Sequence, residues 1–283
     1  MRLGPLEILW RRPRAPAAPS VPAAPSPTLL RFTCNLCGTP VQATPEALGR
    51  EVPSCPGCGS TVRFRSLIAL LGRALGRDGL PLTAWPVDKR IAGLGLSDWP
   101  GYAARLARVC DYVNTQYHAE PRLDIRAPPA EWSERFDFLL SSDVFEHVLP
   151  PVETAFSGSY RLLKPGGVLV LTVPCIPAAR TREHYPDAAG YRVDPEGRVL
   201  LRRASGEEYP ARDPVFHGGP GATLEMRLFG ELDLKAGLEA AGFEAVRFHP
   251  EAIPDAGVLH TDLFSLPLTA RKPQQAVSPQ PSR

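Results

Sequence analysis

The sequence predicts an α/β protein with a parallel, doubly wound sheet that follows a small cysteine-rich module. Two observations predict this architecture. Between about residue 88 and residue 270, short apolar stretches with strand character alternate with amphipathic segments of helical length. Strands separated by helices in this way run parallel, because each crossover returns the chain to the same edge of the sheet. Before that region stand two closely spaced Cys-x-x-Cys pairs, a pattern typical of a metal-stabilised ribbon.

The composition is that of a globular protein and excludes several classes of function. Of 283 residues, 43% are hydrophobic and 22% are charged, and the net charge is +2. A chain this close to neutrality is not a polybasic, nucleic-acid-coating protein. No apolar run approaches the roughly 18 residues of a membrane helix, and no apolar core follows the N-terminal arginines as a signal peptide requires. We therefore expect a cytoplasmic protein that does not associate with membranes.

The 33 prolines mark boundaries between regions. Proline-rich stretches favour extended chain and bury little surface, which predicts a disordered arm over 1–30 and a disordered tail over 272–283. Between these ends we predict a zinc ribbon plus helix over 31–80 and an α/β domain over 81–271. That domain contains an insertion over 174–221.

Apolar periodicity predicts the individual elements of the fold. A stretch of 3.6-residue periodicity predicts a helix, and a short apolar run between turn residues predicts a strand. The predicted strands are 90–96, 109–114, 122–125 (a weak one), 136–141, 168–173, 243–248 and 261–269. The predicted helices are 64–76, 102–108, 154–163 and 232–241. Proline and glycine at 164–167 predict a turn between a helix and the fifth strand.

The insertion has no helical periodicity but carries a hairpin signature over 191–201. Asp194, Pro195 and Gly197 suit the first, second and fourth positions of a type I turn. Long insertions in compact domains often form lids over binding sites. A solvated flap without contact to substrate is the alternative interpretation.

The cysteines carry the most specific signal in the sequence. Cys34, Cys37, Cys55 and Cys58 form two Cys-x-x-Cys pairs, each followed by a glycine. This spacing is typical of a four-cysteine structural zinc site, which stabilises a segment too small for its own core. A redox pair or disulfides are the alternatives. Cys110 and Cys175 are predicted to be ordinary buried thiols.

The segment 136–174, FDFLLSSDVFEHVLPPVETAFSGSYRLLKPGGVLVLTVP, resembles the fourth to fifth strands of class I S-adenosylmethionine-dependent methyltransferases of the type 11 group. The resemblance implies a Rossmann-like, seven-stranded methyltransferase sheet whose last strand is antiparallel. It also implies S-adenosylmethionine as the cofactor and methyl transfer as the reaction.

The resemblance places the cofactor at the carboxyl ends of the strands. The residues it implies for cofactor binding are Gly93, Gly95, Ser97, Asn114, Asp124 and Asp143. The glycine turn departs from the family pattern, because the acid that contacts the methionine amino group is missing unless Asp98 takes its place. Asn114 stands where the family has an acid for the ribose hydroxyls, and amides both donate and accept hydrogen bonds.

The candidate catalytic residues are Glu146, His147 and His217. Asp143, Glu146 and His147 form a D-x-x-E-H pattern that puts them on one face if the segment is helical. The pattern resembles the E-x-x-E-H motif of metal-dependent O-methyltransferases, which implies Mg²⁺ or Mn²⁺ with His217 as a further ligand. In the alternatives, His147 or His217 acts as general base, or these residues only shape the pocket.

We expect the methyl acceptor to be a hydroxyl group of a small molecule or saccharide. An RNA methyltransferase guided by the ribbon is one alternative, since Arg63 and Arg65 would give the ribbon a basic edge. A non-catalytic zinc-ribbon protein on a degenerate methyltransferase fold is another. Several arginines of the insertion suit either an anionic acceptor or a solvated surface. The residue patterns do not specify the acceptor or the oligomeric state.

Overall fold

The computed structural model describes residues 29–217, 223–261 and 263–274, with the backbone alone at residue 217. The predicted disordered arm therefore lies almost entirely outside the described residues, as does most of the predicted tail. None of the described helices is both long enough and apolar enough to span a bilayer.

The cysteine-rich module is a short antiparallel hairpin followed by a helix. Strands β1 (Leu30–Thr33) and β2 (Pro40–Ala43) pair in the hairpin, and helix α1 spans Val62–Ala74. The side chain of Thr61 accepts a hydrogen bond from the backbone N–H of Phe64 and so caps the start of α1. The first cysteine pair lies between the two strands, and the second lies between β2 and α1.

Four adjacent parallel strands, which run to one edge of the main sheet, are connected in part by helices. The strands are β3 (Ala92–Leu96), β4 (Asp111–Thr115), β5 (Phe136–Ser142) and β6 (Leu163–Thr172). Helix α2 (Pro100–Val109) joins β3 to β4, and α3 (Glu153–Leu162) joins β5 to β6. The predicted turn at 164–167 instead lies within β6, where the pairing with β5 is irregular.

Eight short strands follow in and around the insertion. They are β7 (Cys175–Ile176), β8 (Arg182–Glu183), β9 (Gly190–Val193), β10 (Val199–Arg202), β11 (Glu208–Pro210), β12 (Phe216–His217), β13 (Thr223–Leu224) and β14 (Arg227–Gly230). The predicted hairpin is confirmed as β9 and β10. Asp194 holds its turn by accepting hydrogen bonds from the backbone N–H groups of Glu196 and Arg198.

The chain closes with α4 (Glu231–Ala240), β15 (Glu244–Phe248) and β16 (Leu268–Arg271). Strand β16 lies between β6 and β15 and is antiparallel to both, which confirms the predicted closing order. The main sheet of the described residues has six strands in the order β15-β16-β6-β5-β3-β4.

The predicted weak strand at 122–125, third of the seven in chain order, does not form. This part of the chain makes only a single bridge, between Gln116 and Arg122. The backbone turns instead, because Asp124 accepts hydrogen bonds from the backbone N–H groups of Arg126 and Ala127, through its carboxylate and its carbonyl oxygen respectively. A residue that satisfies its neighbours in this way competes with strand pairing.

The cysteine-rich module shares a hydrophobic core with the main sheet. Helix α1 packs on β5 and β6, and Phe32 and Leu67 of the module belong to the same buried cluster as Phe138 and Val168 of the sheet. Helices α3 and α4 cover the opposite face. One face of the sheet is therefore covered by the module, which brings the module's polar residues to the carboxyl ends of the strands.

Candidate functional site

The four cysteines of the module come together as a ligand group. Their Sγ atoms all lie within 4.8 Å of one another, with 3.7 Å between those of Cys34 and Cys58 and 3.6 Å between those of Cys37 and Cys55. Sulfur atoms about 2.3 Å from a tetrahedral Zn²⁺ are separated by about 3.8 Å. Four thiols gathered at close to this spacing are a donor set that fits zinc. Among the described residues, this is the only cluster of three or more His, Cys, Asp or Glu side chains that could hold a metal ion.

A buried arginine lies beside this cysteine cluster. The guanidinium of Arg65 is fully buried and donates hydrogen bonds to the carbonyl oxygen of Ser60 at 2.8 Å, the hydroxyl of Ser54 at 2.9 Å and the carbonyl oxygen of Gly257 at 2.9 Å. Burial lowers the pKa of Arg65, while the nearby Cys34, Cys55 and Cys58 counteract that change. A buried cation suits a site that gathers four thiolates. The expected basic edge at Arg63 and Arg65 is therefore wrong, because Arg65 points into the protein.

The two glycines predicted to approach the cofactor lie inside β3. A Cβ atom on Gly93 would come within 2.1 Å of the Phe138 ring, and one on Gly95 would come within 2.0 Å of the Tyr112 hydroxyl. Real Cβ atoms do not approach so closely. The missing side chains therefore make room for the protein's own aromatic residues at these two positions.

Asp98 lies below the surface at the end of the turn that follows β3. It is 2% exposed, and its carboxylate accepts hydrogen bonds from the hydroxyls of Tyr102, at 2.7 Å, and Tyr112. Burial raises the pKa of Asp98 to about 7, although both tyrosine hydrogen bonds oppose the change. The Asp98 carboxylate is therefore bound inside the protein. It does not take the place of the missing acid that would contact the methionine amino group of the cofactor.

Asn114 and Ser97 hold the turn that follows β3. The Asn114 side chain accepts a hydrogen bond from the backbone N–H of Asp98 and donates one to the Asp98 carbonyl oxygen, both at 2.9 Å. Ser97 has a φ of +54°, and its backbone N–H donates to the carbonyl oxygen of Thr115. The turn is thereby fastened to the end of β4.

The strand order reverses between β3 and β5, and two arginines reach that point. We call the group of Arg50, Arg63 and Asp143 the arginine cluster. Arg50 donates two hydrogen bonds, of 2.8 and 3.0 Å, to the Asp143 carboxylate. Arg63 donates to the Ser142 hydroxyl at 2.6 Å and lies 3.2 Å from Asp143. Open α/β sheets bind ligands where the order reverses.

Asp143 is held as a carboxylate by these contacts. Burial opposes ionisation, but the hydrogen bonds and charge of Arg50 and the charge of Arg63 lower the pKa of Asp143. Thr172, at the end of β6, also donates to it at 2.8 Å. The carboxylate therefore ties the ends of two strands to the module.

Asp124 lies beyond the end of β4 and is bound by its neighbour. Arg126 donates two hydrogen bonds, of 2.7 and 3.1 Å, to its carboxylate, which is 27% exposed. Burial raises the pKa of Asp124, but Arg126 outweighs this effect and lowers it. The carboxylate remains partly exposed to solvent.

The D-x-x-E-H segment is not a continuous helix, so the expected shared face is wrong. Asp143 has a φ of +53° and only Phe145–His147 form a single 3₁₀ turn. Glu146 is fully buried, and its Oε1 lies 3.6 Å from His147 Nε2. His147 Nδ1 lies 2.9 Å from the carbonyl oxygen of Leu224. Asp143, Glu146 and His147 do not gather as metal ligands, and the His217 side chain is outside the described residues.

Arg227 is a structural residue that the sequence pattern does not reveal. Its side chain is fully buried and donates to the Glu183 carboxylate at 2.6 Å and to the carbonyl oxygens of Phe145 and Val148 at 2.9 and 2.6 Å. It thereby fastens β14 and strand β8 of the insertion to the segment that carries His147.

Most arginines of the insertion form ion pairs with nearby acids. The pairs are Arg180–Asp233, Arg192–Glu208, Arg198–Asp194 and Arg203–Glu207. This pattern is typical of a solvated surface rather than of a binding face for an anionic polymer.

A small pocket adjoins the arginine cluster. It lies between the start of α1, the end of β6 and the segment before β16, and its lining includes Arg50, Arg63, Thr172, His260 and Ser265. It has room for about one water molecule. His260 is thus brought to the carboxyl edge of the sheet from the far end of the sequence, where no local motif marks it.

One segment of the chain matches a known protein family. Residues 106–171, from the end of α2 to the end of β6, match the methyltransferase domain family. The match covers less than a quarter of the chain. No curated protein matches the chain.

Several solved structures align with part of this chain. A 1,6-didemethyltoxoflavin N1-methyltransferase from Burkholderia thailandensis, with 1,6-didemethyltoxoflavin and S-adenosylhomocysteine bound, is 19% identical over 74% of this chain and 78% of its own, with a TM-score of 0.41. A phosphoethanolamine N-methyltransferase from Haemonchus contortus is 15% identical over 75% and 53%, with a TM-score of 0.39. An S-adenosylmethionine-dependent methyltransferase from Clostridium acetobutylicum is 11% identical over 65% and 84%, with a TM-score of 0.39. The ligands named are those of these proteins.

Proposed function

We propose that this chain, which carries a methyltransferase domain over residues 106–171, is an S-adenosylmethionine-dependent methyltransferase that acts on a hydroxyl group of a small molecule or saccharide. The observation that carries the proposal is the reversal of strand order between β3 and β5. Ligands bind at such a point in open α/β sheets. The matched segment supplies one side of it, including Ser142 and Asp143.

The donor set around the reversal point fits the two polar ends of the cofactor. The guanidinium of Arg63 and the hydroxyl of Ser142 can donate hydrogen bonds to a carboxylate. The partly exposed carboxylate of Asp124 can accept hydrogen bonds from the amino or hydroxyl groups of an adenosine group. When bound, the cofactor supplies an electrophilic methyl group. The protein then has to orient the acceptor and remove its proton, and orientation contributes most of the rate. Gly93 and Gly95 support this site by making room for aromatic side chains beside β3, and Asn114 supports it by holding the turn after β3.

We propose His147 as the residue that removes the acceptor proton. A carbonyl oxygen can only accept a hydrogen bond, so the contact with Leu224 places a proton on Nδ1. Nε2 is then the basic nitrogen. Arg227 positions the segment of His147 through its carbonyl contacts. His217 stays a second prediction for the same role.

The four-cysteine cluster favours a structural role for the zinc ion rather than a catalytic one. Four cysteines complete the coordination of Zn²⁺ and leave no position for a substrate. The ion would fix the loop between β2 and α1, which carries Arg50. RNA is disfavoured as the acceptor, because most arginines of the insertion are already paired with acidic side chains.

The test is a calorimetric and thermal-shift titration with S-adenosylhomocysteine. A ligand at 100 times its Kd stabilises the folded state by about 2.7 kcal/mol, which raises the melting temperature measurably. A catalytic protein binds this ligand, whereas a non-catalytic protein on a degenerate fold shows no heat and no shift at millimolar concentration. If binding is seen, transfer of labelled methyl groups to saccharides and to RNA at several salt concentrations distinguishes the acceptors, because RNA binding weakens steeply with salt.

A further inference from the structure

A second carboxylate, that of the exposed residue Glu51, contacts both arginines of the arginine cluster. Glu51 follows Arg50 in the loop before α1. Its carboxylate accepts two hydrogen bonds from Arg63, of 2.7 and 3.1 Å, and one from Arg50. A single carboxylate therefore bridges both guanidinium groups.

Glu51 and Asp143 differ in their exposure to solvent. The Asp143 side chain is 16% exposed and is also bound by Thr172. The Glu51 side chain is 52% exposed, and all of its described partners are these two arginines. An ion pair with so exposed a carboxylate contributes little to stability. Glu51 can therefore leave the arginines at little cost, whereas Asp143 cannot.

Arg63 lies where a ligand of the sheet is expected to bind. Arg63 donates to the hydroxyl of Ser142 at the end of β5. The guanidinium thus lies at the carboxyl end of one of the two strands between which the order reverses. Planar guanidinium groups bind carboxylates through paired, charge-assisted hydrogen bonds.

We propose that Arg50 and Arg63 form a carboxylate-binding site for the amino-acid end of the cofactor, and that Glu51 occupies this site until the cofactor carboxylate displaces it. The inference rests on the proposed function. It makes the cysteine-rich module a contributor to the binding site and not only a structural appendage. Glu51 acts as an internal competitor, so the apparent affinity reflects the fraction of molecules in which it has moved away.

The experiment uses the full zinc-loaded chain and two ligands. S-adenosylhomocysteine carries the carboxylate, and 5′-methylthioadenosine has the same adenosine group without the amino-acid end. Binding of both is measured by calorimetry for the wild type, Arg63→Gln, Glu51→Gln and the control Arg73→Gln, which lies at the far end of α1 and is 43% exposed.

The two variants are expected to act in opposite directions. Arg63→Gln should weaken S-adenosylhomocysteine roughly ten- to hundred-fold, because a hydrogen bond to a charged group is lost. Glu51→Gln should strengthen it by roughly two- to five-fold, because the competitor is removed. Neither should change the affinity for 5′-methylthioadenosine more than Arg73→Gln does.

The outcomes separate this inference from the proposed function. A wild-type protein that binds neither ligand contradicts the proposed function. A wild type that binds S-adenosylhomocysteine, with equal affinities in Arg63→Gln and Glu51→Gln, overturns the carboxylate site alone. Equal losses for both ligands in Arg63→Gln, together with no gain in Glu51→Gln, show a structural role for Arg63 and also overturn it.

Discussion

The guanidinium of Arg65 lies 2.9 Å from the carbonyl oxygen of Gly257, a residue 192 positions further along the chain. The same side chain donates to the Ser60 carbonyl beside the second cysteine pair. One buried cation thus joins the cysteine cluster to the loop that precedes the last strand. This contact helps to hold the cysteine-rich module against the loop that leads into the main sheet.

Arg65→Met should destabilise the whole protein by about 2–4 kcal/mol, because two buried carbonyl oxygens and the half-buried Ser54 hydroxyl lose their donor. Unfolding in urea measures the change. Arg73→Met in the same helix replaces an exposed arginine and should stay within about 0.5 kcal/mol of the wild type. Equal effects of the two variants would contradict the anchoring role of Arg65.

The protein should contain one zinc ion per chain. We expect Cys34→Ser and Cys58→Ser to lose the metal and to lower the melting temperature, because the site supplies folding energy to the module. Metal content is measured by atomic emission after dialysis. Cys110→Ser and Cys175→Ser serve as controls and should retain the ion. Zinc that stays stoichiometric after loss of Cys34 would rule out the four-cysteine site.

Gly95→Ala should destabilise the protein by at least about 1–3 kcal/mol, because the new methyl group overlaps the Tyr112 hydroxyl and the carboxylate of Asp98. Chemical denaturation gives the value. Gly190→Ala is the matched control, since its nearest neighbour is the flexible end of Arg202 at 3.3 Å. A neutral Gly95→Ala would show that this glycine is not required by internal packing and would favour a role in ligand approach.

Asp98 should make stability fall as the pH rises towards neutrality. Its folded-state pKa is raised to about 7 by burial, while the unfolded value is about 3.9. Between these values the folded state retains a proton that the unfolded state has released, so the free energy of unfolding decreases with pH by up to about 1.4 kcal/mol per unit and levels off above pH 7. Asp98→Asn lacks this ionisation. Denaturation of both proteins from pH 5.5 to 8.5 gives the difference between them, which should shrink with rising pH. A constant difference would show that the Asp98 pKa is not raised.

The strand and helix order of the main domain could be predicted from the sequence because each element carries its own periodicity. Phe136–Ser142 is apolar on both faces, and the helix over Glu153–Leu162 has a clear amphipathic pattern. The weak strand at 122–125 was the exception. Its residues had too little apolar character to compete with the turn that Asp124 makes.

The candidate site was harder to predict, because its polar contacts join distant segments. The cysteines could be found from their spacing alone, because the ligands of structural zinc sites typically occur as closely spaced Cys-x-x-Cys pairs. Nothing local indicates that Arg50 meets Asp143 or that His260 lines the same pocket. The glycines of β3 looked like a cofactor turn, yet the space beside them belongs to Phe138 and Tyr112. A glycine shows that a close approach is needed and does not show which group approaches.

The shared hydrophobic core of the module and the sheet has a consequence for cooperativity. Phe32 and Leu67 pack in one cluster with Phe138 and Val168, so melting the module uncovers a face of the sheet. The two regions should unfold together in a single calorimetric transition. A fragment that begins after α1 would expose that face to water and would be prone to self-association. The smallest unit that folds therefore begins before the first cysteine.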